Sequence, residues 1–131
     1  MPRLLTTTLS PSPDAYALDG SEVRLLAALQ GGSFAHFELP AGAVSHAVVH
    51  RTVEEIWFFV SGRGELWRRA ENREEVVAVS PGVCVTIPLG ARLQFRASAE
   101  APLAFVAVTM PPWLGEGEAE VVDGNWRPTV G

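Results

Sequence analysis

Proline and glycine break this chain at short intervals, and that spacing most limits the folds open to it. Ten prolines and twelve glycines are spread through 131 residues. Between the breaks, segments rich in Val, Phe, Ile and Trp recur roughly every ten residues, the pattern of a sandwich or barrel of short strands. Candidate strands are Ser33–Leu39, Ala43–His50, Glu55–Ser61, Glu65–Arg69, Glu74–Val79, Val83–Ile87, Arg92–Ala97 and Leu103–Thr109. Turn residues separate them: Pro40-Ala41-Gly42, Ser61-Gly62-Arg63-Gly64, Pro81-Gly82, Pro88-Leu89-Gly90 and Ala101-Pro102. Val23–Leu29 is apolar and fits two patterns. Ser21 is placed to cap a helix there, and Gly31-Gly32 would end it after barely two turns.

Composition removes several function classes. The chain carries 15 acidic and 10 basic residues, for a net charge of −5, and every basic residue is Arg. That balance argues against nucleic acid, which needs a basic surface to displace counterions. Without lysine there is no Schiff-base chemistry and no phosphate-loop lysine. Cys84 is the single cysteine, so an intrachain disulfide and thiolate-rich metal sites are excluded. Within Val83-Cys84-Val85 it reads as a buried small hydrophobe. No run approaches the ~18 apolar residues of a membrane helix, no secretory signal stands at the N-terminus, and the cytoplasm is the expected compartment.

The chemistry is concentrated in Gly42–Gly62, GAVSHAVVHRTVEEIWFFVSG, and Gly82–Ala97, GVCVTIPLGARLQFRA. Alternate residues of a strand share a face, so His46, Val48 and His50 are expected to point one way, with Glu55 opening the next strand. Two imidazoles and a carboxylate suit a divalent Zn, Fe, Ni or Mn ion.

Here the sequence resembles the cupin superfamily. Its first motif runs Gly, five residues, His-x-His, three or four residues, Glu, six residues, Gly. Gly42, Val48-Val49-His50, Glu55 and Gly62 keep that frame. The second motif runs Gly, five residues, Pro-x-Gly, two residues, His, three residues, Asn. Gly82, Pro88 and Gly90 keep it, with Leu93 and Ala97 at the last two positions. The resemblance implies an all-β fold, a cupin-type double-stranded β-helix or jelly-roll barrel. It also implies a metal held by three His and one Glu. Only His50 and Glu55 fill ligand seats, since Val48 and Leu93 offer no lone pair. Two alternatives stay open. His46 joins His50 and Glu55 in a shifted three-ligand site, or the barrel holds a dry pocket in which His50 pairs with Glu55.

Trp57 and Phe59 share the parity of Glu55, and Phe95 that of Leu93. Val48, Trp57, Phe59, Leu93 and Phe95 are therefore the expected pocket lining. Arg68, Arg69, Arg92 and Arg96 are expected in surface pairs with acidic neighbours. Trp113 is placed to cover the barrel mouth or pack at a subunit interface. The expected organisation is an N-terminal arm over 1–22, a barrel over 23–110, and a C-terminal extension over 111–131 packed on the barrel or a partner. Sheet edges favour a homodimer. The functional expectation is a small-molecule binding pocket, with no nucleic-acid or membrane partner. The alternative is an isomerase or dioxygenase-like enzyme, metal-dependent or metal-free, with His50 and Glu55 as the catalytic candidates.

Overall fold

Strand β5, Glu54–Ser61, shows how the sequence makes the sheet. Its residues alternate exposed and buried, with Glu55, Trp57 and Phe59 inward and Glu54, Ile56 and Phe58 outward. The same period of two governs β8, Cys84–Ile87, where Val85 and Ile87 face the core. Cys84, expected to be buried, is exposed. The reason is phase, because its two valine neighbours cannot share its face.

The computed structural model describes residues 4–115 and 117–131. The remaining strands are β1 Ala15–Tyr16, β2 Glu22–Leu29, β3 Gly32–Leu39, β4 Ala47–His50, β6 Gly64–Ala70, β7 Arg73–Val79, β9 Arg92–Ala97, β10 Leu103–Met110 and β11 Ala119–Val122. They form two antiparallel sheets, ordered β1-β2-β3-β10-β5-β8 and β11-β4-β9-β6-β7. The all-β architecture matches the turn spacing, and its two sheets match the jelly-roll that the family resemblance implies. Among the described residues no helix is long and apolar enough to cross a membrane.

The ambiguous segment Val23–Leu29 is strand, lying in β2 and pairing along β3 from Glu22↔Glu38 to Leu29↔Gly32. Ser21 caps no helix; its hydroxyl donates to Asp19. The expected strand Ala43–His50 is regular only from Ala47. Before that point the backbone is engaged elsewhere: Thr129 N donates to Val44 O, and His46 N donates to Asp19 O.

Strand register stacks the inner face in rows. Ser33, Thr109, Glu55 and Ile87 make one row across β3, β10, β5 and β8; Ala35, Ala107, Trp57 and Val85 make the next. Phe105 stacks between Trp57, centroids 4.0 Å apart, and Phe37, 5.1 Å apart. Phe59, Leu66, Leu93 and Phe95 fill the space between the sheets. The outer face of the five-stranded sheet is covered by the C-terminal residues. Buried Gln94 donates to Ser45 O and Trp126 O, and accepts from Asn125 N and Trp126 N. Trp126 lies under the Arg96 guanidinium at 4.2 Å.

Candidate functional site

Glu55 leaves the inner face of β5 directly across from Thr109. Both carboxylate oxygens are engaged: Oε1 accepts from Trp57 Nε1 at 2.9 Å and Oε2 from Thr109 Oγ1 at 2.6 Å. The side chain is 5% exposed, so these bonds offset much of what an isolated buried carboxylate would cost. His50 approaches from the facing sheet, at the end of β4. Its Nδ1 stands 3.7 Å from Glu55 Oε1, beyond hydrogen-bond length, and this buried nitrogen has no partner among the described residues. Trp113, after β10, sets its ring edge-on to His50 with centroids 5.4 Å apart.

A third titratable group comes from the turn between β1 and β2. Asp19 is buried, and its Oδ1 accepts from Ser21 N at 2.8 Å and Ser21 Oγ at 2.6 Å. This is an Asx turn, in which the side chain stands in for a backbone acceptor. Burial pushes the Asp19 carboxyl above its ordinary value and the Glu55 charge adds to the rise, while the Ser21 bonds and His50 oppose it. Glu118 lies on the far side of His50. Burial pushes it upward, but the donors of Thr52 and Val53, with His50, win and hold it below the ordinary range.

Asp19, His50 and Glu55 open onto a cavity of about 620 Å³ between the sheets. Asp19, Ser33, His50, Glu55 and Thr109 supply polar lining; Phe37, Val48, Trp57, Phe105 and Trp113 supply apolar walls. Of the residues expected from sequence, His50, Glu55, Val48 and Trp57 are brought together there. Phe59, Leu93 and Phe95 lie beneath, each with 0% exposure, as core rather than lining. His46 is not part of the group: its Nε2 lies 3.3 Å from the Gly131 carbonyl. It stands before the first regular residue of β4, so strand alternation does not carry it inward. Asp19, Thr109 and Phe105 were missed. The Asp19-Gly20-Ser21 turn signal was legible in the sequence, but its place over the cavity was not.

The donor set does not fit the expected ion. Among the described residues no three His, Cys, Asp or Glu side chains are grouped to hold a metal. His50 and Glu55 supply two donors, and Val48 occupies a third seat from the same wall. Four arginines form ion pairs, Arg68 with Glu75, Arg96 with Glu65, Arg51 with Glu120 and Arg24 with Glu22, whereas Arg92 donates to the Asp123 carbonyl and Arg69 has no acidic partner among the described residues.

A family model described as Cupin domain matches residues 35–109. No curated protein is matched by the sequence. Among solved structures, a Streptomyces PAC13 variant with uridine superimposes with TM-score 0.69 at 15% identity, covering 93% of this chain and 92% of that one. An uncharacterized conserved protein with a double-stranded beta-helix domain from Klebsiella pneumoniae gives TM-score 0.64 at 17% identity, with 88% and 91% covered. The capsular polysaccharide assembling protein CapF from Staphylococcus aureus gives 0.66 at 14%, with 79% of this chain and 32% of that one covered. This chain thus spans about a third of CapF. Likeness at these identities speaks for the fold alone.

Proposed function

We propose that this chain, which belongs to the cupin family, binds a small organic molecule in the cavity between its two sheets. The carrying observation is the cavity itself, about 620 Å³ with mostly apolar walls and three titratable side chains at one end. That is the size and make-up of a small-molecule site: apolar surface supplies affinity, and a few placed polar groups fix orientation. That the PAC13 structure contains uridine supports an organic occupant of this barrel type.

The test is a thermal-shift screen of metabolites on the purified chain. A true ligand raises the melting temperature in proportion to the logarithm of its concentration over Kd, and Trp57→Ala lowers that shift. A screen in which no compound moves the melting point removes the reading.

One observation favours a second reading, metal-free acid–base catalysis. His50 Nδ1 is buried and, among the described residues, unpartnered beside a carboxylate that Trp57 and Thr109 hold in place. An imidazole so placed can take a proton from a bound molecule, with Glu55 stabilising the resulting cation. Catalysis predicts that His50→Gln abolishes turnover of a ligand from the screen while its binding survives.

A further inference from the structure

We propose that the cavity selects molecules joining an apolar ring to a protonated amine, and that Asp19 on the β1–β2 turn receives the ammonium group. This rests on the preceding reading that the cavity is a small-molecule site, and it names the ligand class.

Most donors around the two carboxylates are already committed. Trp57 Nε1–H and the Thr109 hydroxyl are given to Glu55, and the Ser21 hydroxyl and backbone N–H are given to Asp19. Ser33 Oγ accepts from Trp113 N, so its own hydrogen is a donor left in the lining, beside the Trp113 indole N–H and one His50 ring N–H; the Tyr16 hydroxyl sits at the exposed mouth. Two acceptors also remain there. Asp19 Oδ2 is outside the Ser21 pairing, and His50 Nδ1 is buried with no partner among the described residues. In the tautomer that carries its proton on Nε2, Nδ1 accepts a hydrogen bond. An ammonium group brings donors and no acceptor, which matches this end of the cavity.

Charge points the same way. The ionisable lining comprises Asp19, Glu55 and His50 with the Tyr16 phenol, and no arginine among the described residues lines the cavity. The sequence has no lysine at all. A carboxylate or phosphate entering would face two acids with only the His50 imidazole to oppose them, at the added cost of losing its water. A cation would pair with the acids and lie against aromatic faces, which attract positive charge. Trp57, Phe37 and Phe105 give the ring a stacked wall.

The experiment compares three probes of one size by isothermal titration calorimetry at neutral pH and low salt: phenethylamine, phenethyl alcohol and hydrocinnamate. The expected order is amine first, about tenfold or more tighter than the alcohol, with the carboxylate weakest. Asp19→Asn, checked for folding by circular dichroism, is expected to erase most of the amine's lead over the alcohol. The comparison on the parent chain needs no variant and decides the matter even if Asp19→Asn does not fold. Equal binding of alcohol or carboxylate and amine, or an amine lead untouched in folded Asp19→Asn, overturns the charge selection and leaves the pocket standing. Failure of all three probes to bind overturns the proposal, while the pocket reading stands or falls separately with the thermal-shift screen.

Discussion

Asp19 is the residue where burial and charge conflict most openly. Its folded-state pKa lies above the ordinary value of 3.8, first because of burial. Over the window above 3.8 the folded chain keeps a proton that the unfolded chain has lost. The contribution of this group to stability is therefore complete below the ordinary value, and is lost as pH rises through the folded-state pKa. Asp19→Asn is neutral at every pH and keeps an oxygen for Ser21. It is expected to be more stable than the parent at neutral pH, with the gap closing as pH falls toward 3.8. Urea midpoints at the two pH values measure this, and a gap that widens on acidification contradicts it. Glu118 titrates in the opposite sense, contributing stability above its ordinary value that is lost on acidification, but it is common to both proteins and cancels. At this scale His50 and Glu55 were legible because the motif spacing that marks them is local. Asp19 was not, because it reaches them only through the β1–β2 turn packing over the far ends of β4 and β5.

The elements show a similar division. Turn chemistry placed most strands correctly because each lies between its own glycine or proline breaks. It left β2 undecided, since an apolar segment of eight residues serves helix or strand alike until a partner settles it. That partner is β3, with β10 on its other side. The C-terminal residues, expected as an extension packed on the barrel or a partner, pair through β11 with β4 and beyond it are gathered by one side chain. Gln94 satisfies Asn125 N, Trp126 N, Trp126 O and Ser45 O, and Thr129 ties in beyond through Val44. Val130 in turn sits against Gly20, whose φ of 99° and lack of a Cβ allow the close approach. The tail therefore buttresses the turn that carries Asp19. Gln94→Leu leaves buried backbone groups without partners and is expected to cost about 2–4 kcal/mol. Faster amide exchange at Asn125 and Trp126 is its local signature. Unchanged exchange with unchanged urea midpoint would show that the clamp carries no weight.

For the whole molecule, each sheet ends in strands with one open side: β1 and β8 in the larger, β11 and β7 in the smaller. Open edges are managed by shortening, charge or pairing. β1 is two residues long and β7 carries Arg73, Glu74 and Glu75, whereas β8 is Cys84-Val85-Thr86-Ile87, with no charge. We expect the chain to associate as a homodimer, the commonest closed assembly. Sedimentation equilibrium at micromolar concentration should return twice the chain mass, and a monomer there removes the expectation.

The sequence by itself determined the strand periodicity, the glycine–proline frame of both motifs, and the survival of one imidazole and one acid where the family places four ligands. All of these are properties of neighbouring residues. Only the tertiary structure decided that His46 turns to the tail, that Cys84 faces outward, and that Asp19 and Thr109 join the pair. These depend on register and on which loops cross the open end of the sheets, and a shift of one residue in a strand reverses the face of every side chain in it.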